Sequence, residues 1–205
     1  VMAKRITFQF EDDLDYQMQA IHSTVELFRG LSRHVDSIYR PNRIRKVGEG
    51  DPVRNNDIVV GSRLLENLRK VQLSNDLFAD NVLTDGNNFT IEMETGTGKT
   101  YVYLRTILEL YQEYGFRKFM IVVPSIAIRK GVEKSMEQLA DHFKRLYNID
   151  IGKHSFIYDS NNPKQISSKL VESNDLSICV LNIQAFNKDT CLLYTSPSPR
   201  DRQKS

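Results

Sequence analysis

The chain has 205 residues, of which 40% are hydrophobic and 26% charged, with ten Gly, six Pro and two Cys. This composition suits a globular protein of one large domain or two small ones, and it excludes a disordered chain, a collagen-like repeat and a disulfide-stapled miniprotein. The 28 basic residues exceed the 26 acidic ones by a formal charge of +2. The last fifteen residues alone account for that excess, through Arg200, Arg202 and Lys204 against Asp201. The remainder is neutral overall, so the basic pI carries no nucleic-acid signal.

No apolar run approaches the roughly 20 residues of a membrane-spanning helix. Val1-Met2-Ala3-Lys4-Arg5 is positively charged but has no apolar stretch behind it, which predicts no secretory leader. Cys179 and Cys191 make no disulfide framework, and the expected setting is a reducing cytoplasm without a membrane partner.

In chain order, Leu14, Met18, Ile21, Val25 and Phe28 recur at three- and four-residue steps and predict an amphipathic helix closed by Gly30. Residues 31–57 lose that period and read as a long connection, followed by a short strand at Asp57–Val60. Leu64, Leu65, Leu68 and Val71 predict a second helix running towards Asp80, and Asp85-Gly86-Asn87-Asn88 is a turn cluster.

From residue 89 onward, strands alternate with helices. Phe89–Met93 is the first expected strand, and a helix begins at Thr100, buries Leu104, Ile107, Leu108 and Tyr111, and is capped by Gly115. Phe119–Val123 is a nearly continuous apolar run of the kind a parallel strand covered on both faces requires, and Pro124 ends it. Val132, Met136, Leu139, Phe143 and Leu146 form the next helical stripe. His154–Tyr158 is a third strand, Asn162-Pro163 opens another helix, and Leu176–Ile183 is a fourth strand. This alternation predicts an α/β fold with a mostly parallel sheet of about four strands.

Thr95-Gly96-Thr97-Gly98-Lys99-Thr100 is the sharpest chemical signal. A loop that binds phosphate needs inward-pointing backbone N–H groups, hence glycines where side chains would clash, and the positive end of a helix dipole behind it. In that arrangement Lys99 reaches the β- and γ-phosphates, and the Thr100 hydroxyl is the Mg²⁺ ligand. Met93 stands where the general phosphate-loop pattern has a glycine. That departure argues against P-loop kinases and small GTPases and fits the helicase form of the loop.

Four separated blocks carry a closer resemblance. Met93–Thr100 resembles motif I of a superfamily-two helicase, and Val122–Val132 resembles motif Ia in restriction subunits of type III restriction–modification enzymes. Phe8-Gln9-Phe10-Glu11 with Leu14-Asp15-Tyr16-Gln17 resembles the entry of that subunit, and Asn182–Asp189 resembles a later segment of it. The resemblance implies a RecA-like P-loop domain at 85–190, with helices on both faces of its sheet and truncated before the acidic motif. A helical extension at 1–84 precedes it.

The parent it implies is an ATP-dependent DNA helicase or translocase and site-specific endonuclease. That parent uses ATP and Mg²⁺, acts on double-stranded DNA and is partnered by a methyltransferase subunit. Gln17 matches the glutamine that reads the adenine edge, with Gln19 as the competing candidate two residues on. Glu94, Thr95, Gly96, Thr97, Gly98, Lys99 and Thr100 match the nucleotide-holding loop, with Lys99 and Thr100 as its catalytic members. Ser125 matches a DNA-backbone contact, and Arg129 and Lys130 add phosphate attraction. Asn182, Gln184 and the basic stretch Arg40, Arg43, Arg45 and Lys46 rank lower.

ATP hydrolysis in this family requires an Asp for Mg²⁺ and a Glu that positions water. The nearest segment is Phe156-Ile157-Tyr158-Asp159, but Ser160 stands where the Glu belongs, and Asp159 reads as a turn residue. The isolated chain is therefore expected to be inactive. Cys191–Asp201, CLLYTSPSPRD, has no periodicity and resembles a translated sequencing adapter, so 191–205 reads as a non-native or disordered tail. Two other classes fit the same loop: a helicase subunit of a type I restriction or repair enzyme, and a non-helicase P-loop switch.

Overall fold

The computed structural model describes residues 14–30, 62–80, 83, 87–159, 162, 164–173 and 175–184. The connection at 31–57, the strand expected at 57–60, the basic stretch at 40–46, Pro163 and the tail at 191–205 lie outside the described residues. The chain divides into two compact units, Val1–Arg117 and Lys118–Ser205.

In the first unit, α1 (Asp15–Glu26), α2 (Ser62–Ser74) and α3 (Lys99–Tyr114) pack together. The expected stripe on α1 forms around Ile21, which is fully buried, and Gly30 takes the left-handed backbone (φ +65°) that ends the turn after the helix. Phe28 meets Phe116 edge-on at 5.1 Å, and Tyr114 donates its hydroxyl to the Val25 carbonyl at 3.1 Å. Asn67 of α2, buried, donates to the carbonyls of Leu27 and Arg29, acceptors that the end of α1 leaves free. These contacts tie the end of α1 to the end of α3, while Gln17 near the start of α1 reaches the start of α3. The two helices therefore run in the same direction.

In the second unit, β1 (Lys118–Val123), α4 (Ile126–Tyr147), the short α5 (Ile151–His154), β2 (Ser155–Ile157), a π-helix (Ile166–Glu172) and β3 (Ser177–Asn182) follow in order. The strands form one parallel sheet in the order β1-β3-β2. All six β3 residues are buried, so both faces of the central strand are covered. Cys179 and Leu181 on one face join Ile166 and Leu170 of the π-helix, with Phe156 and Tyr158. Alternation puts Asn182 on the other face, where it meets Arg129 of α4. Helices thus flank the sheet on both sides.

Four expectations need correction. Phe89–Met93 joins no ladder among the described residues, and the sheet has three strands instead of about four. The segment has the apolar alternation of a strand, but a strand exists only through hydrogen bonds to a neighbour, and Ile91 is left 49% exposed. β1 is not covered on both faces: among the described residues it lies at the sheet edge, with Met120 and Val122 exposed. On α4, Tyr147 takes the last buried position and Leu146 is exposed, because the step from Phe143 follows the i+4 spacing. The helix expected from Asn162 is wound as a π-helix over 166–172.

Candidate functional site

The glycine loop of the first unit takes its shape from its residue types. Gly96 and Gly98 have φ of +86° and +83°, a region that side chains with a Cβ rarely adopt. The Thr97 hydroxyl donates to the Glu94 carbonyl at 2.7 Å and closes the turn. Gly98 is the N-cap of α3 and offers no side chain to its N–H groups, and its carbonyl accepts the first intrahelical bond, from Val102. The N–H groups before Val102 have no intrahelical acceptor, and no acidic residue in the first turn offsets the positive end of the helix. A Cβ at Gly96 would meet nothing within 4 Å, so the loop opens onto free space. Lys99 is exposed, Thr100 half-buried, and Glu94 and Thr95 exposed.

Gln17 belongs to this loop. It is buried, and its Nε2 donates to the Thr97 carbonyl at 2.8 Å. A Cβ at Gly98 would lie 2.5 Å from the same nitrogen, so a side chain there would displace the Gln17 amide, in addition to the strain set by the positive φ. The carboxamide keeps its oxygen and one N–H, the acceptor–donor pair that suits an adenine edge. Gln19 donates instead to the Asn75 side chain at 2.8 Å, so of the two glutamines Gln17 is the one bonded to the loop. Tyr103 was missed by sequence reasoning. Burial raises its phenol pKa above the ordinary value, while a hydrogen bond with the Thr100 side chain acts in the opposite direction. The i, i+3 spacing from Thr100 was the signal that could have found it.

The second unit gathers Ser125, Arg129, Asn182 and Gln184 where β1 and β3 end. Ser125 is the N-cap of α4, and its hydroxyl accepts from the Ile128 N–H at 3.3 Å. Arg129 Nη1 donates to Asn182 Oδ1 at 3.3 Å, Asn182 Nδ2 donates to Gln184 Oε1, and Gln184 Nε2 donates to the Pro124 carbonyl at 3.4 Å. Lys130 is exposed and takes no part in this chain of bonds. The Asp159 carbonyl accepts from the Asn162 N–H at 3.0 Å. Among the described residues no helix is long and apolar enough to cross a membrane.

A parallel sheet flanked by helices, with a T-G-T-G-K-T loop opening a helix, defines an α/β protein of the RecA-like P-loop class. A sequence model of the family described as "Type III restriction enzyme, res subunit" matches residues 12–204, and the chain belongs to that family. The match runs through the stretch from 191 onward that resembles an adapter. The chain is 26% identical over 170 residues to the EcoPI Res subunit of a type III restriction-modification enzyme from Escherichia phage P1, covering 81% of this chain and 17% of that protein. It is 32% identical over 111 residues to the EcoP15I Res subunit of Escherichia coli, covering 52% of this chain and 11% of the relative. With the StyLTI Res subunit of Salmonella typhimurium the identity is 46% over 65 residues, 31% of this chain and 7% of the relative. The chain therefore spans less than a fifth of the length of each.

Proposed function

We propose that this chain is the ATP-binding front end of a DNA-translocating restriction subunit that works with a methyltransferase subunit on double-stranded DNA in the cytoplasm. The single observation behind this reading is the union of the glycine loop with Gln17. One hydrogen bond joins an adenine-reading side chain to the backbone that would surround the phosphates. The open space over Gly96 and the uncapped start of α3 suit a triphosphate. Bound Mg·ATP would supply the phosphoryl chemistry. On the protein side, Gly96 and Gly98 leave room for the phosphates, Lys99 neutralises their charge, and Thr100 presents its hydroxyl to the metal. Glu94, Thr95 and Thr97 complete the loop. Ser125, Arg129 and Lys130, at the start of a helix with no acid in its first turn, would meet the DNA backbone.

The chain alone should bind Mg·ATP without turning it over, because no water-positioning Glu follows Asp159. Equilibrium titration with Mg·ATP tests the reading: Lys99→Ala should weaken binding by about a hundredfold or more, as expected when the phosphates lose their charge-assisted partner. Equal affinity in parent and variant would refute it. Steady turnover by the chain would place a catalytic carboxylate here, with Asp159 the first to replace.

A further inference from the structure

We infer that Asn182 is a positioning residue, which holds the Arg129 guanidinium in place for a phosphate of duplex DNA; this rests on the DNA-backbone reading of α4 given above. The two residues lie 53 positions apart, and the fold alone brings them together. Asn182 is 9% exposed and is the last residue of the central strand, paired in register with Val123 of β1. Both ends of its carboxamide are engaged: the oxygen accepts from Arg129, and the nitrogen donates to Gln184, which is itself anchored on the Pro124 carbonyl. The amide therefore cannot turn without breaking a bond at each end. Its acceptor is held towards Arg129, and its hydrogen bond restrains one end of the guanidinium.

The choice of a neutral acceptor is informative. Arg129 lies next to the first turn of α4, where the helix dipole already disfavours a cation, and that turn has no acidic residue. A carboxylate at 182 would relieve the repulsion but would also neutralise the arginine. Asparagine fixes the side chain and leaves its full charge, with four further N–H donors for an anion. An arginine fixed in advance has less rotamer freedom to lose on binding than a free one.

The test measures binding of the chain to a fluorescent DNA duplex by anisotropy across a salt series. Arg129→Ala should weaken binding roughly three- to tenfold and flatten the slope of log affinity against log salt by about 0.9, the loss of one phosphate contact. Asn182→Ala should weaken binding in the parent but add no further loss in the Arg129→Ala background. Gln184→Ala, at an exposed position, should give a smaller loss with the same dependence on Arg129, and it covers the case in which Asn182→Ala fails to fold. Equal losses from Asn182→Ala and Gln184→Ala in both backgrounds would overturn the inference, as would no loss from either in the parent. If Arg129→Ala leaves affinity and slope unchanged, or the parent does not bind duplex, the DNA-backbone reading fails and takes this inference with it.

Discussion

The loop at residues 94–98 and the strand at 177–182 handle backbone hydrogen bonding in opposite ways. Around the loop, two glycines hold positive φ, the helix behind them starts without a side-chain cap, and a Cβ at Gly96 would meet nothing. Along β3, six consecutive buried residues pair with β1, and three of them pair with β2 on the other side. Unpaired N–H groups cost little where water or an anion can reach them and several kcal/mol each where neither can, by roughly 2–7 kcal/mol for an amide moved into an apolar surround. A binding loop must therefore lie at the margin of its unit, and a central strand must be fully satisfied. Binding and stability should consequently respond to different substitutions.

The largest expected effect tests the stability side. Phe143 is fully buried on α4, and Phe143→Ala should lower unfolding free energy by about 3–5 kcal/mol, measured by denaturant titration. A loss under 1 kcal/mol would mean that α4 does not pack as described. Lys99→Ala should do the reverse. Because Lys99 is exposed, its removal should leave the melting temperature within about a degree while nucleotide binding falls about a hundredfold. A large drop in melting temperature would erase the contrast.

The two glycines separate strain from contact. Gly96→Ala and Gly98→Ala both force a Cβ into the left-handed region, at about 1–2 kcal/mol each. Only the second also displaces the Gln17 amide, so Gly98→Ala should be the more destabilising by roughly 1 kcal/mol, the worth of one lost hydrogen bond. In a Gln17→Ala background the two should become equal, and a persisting gap would show that another contact fixes Gly98.

The smallest effect concerns Cys179 in β3. Burial pushes its thiol pKa up from 9.0 to about 12. Because the native state favours the protonated thiol, its contribution is complete below pH 9 and falls as pH rises towards 12. The stability deficit of Cys179→Ala should be constant from pH 7 to 8 and shrink above pH 9 in denaturant titrations at each pH. A deficit that grows with pH would contradict the burial.

Much of the local structure was legible because it depends on residues close together in sequence. Gly115 marks the cap that ends α3, and Pro124 marks the end of the apolar run that forms β1. The T-G-T-G-K-T order carries phosphate chemistry in its own spacing. The α/β class followed from the alternation of apolar runs and helical stripes.

What depends on distant neighbours was decided only by tertiary structure. The sequence left Gln19 as a competitor to Gln17, and the packing of α1 on α3 turns Gln17 towards the loop and leaves Gln19 on Asn75. Phe89–Met93 and Phe119–Val123 both read as strands, one by alternation and one as an apolar run, yet among the described residues only the second has a strand beside it. Asn182 and Arg129 become partners because parallel pairing brings the end of β3 level with the end of β1, 59 residues earlier in register. Apolar pattern and turn chemistry act over a few residues, whereas pairing and burial depend on which surfaces meet.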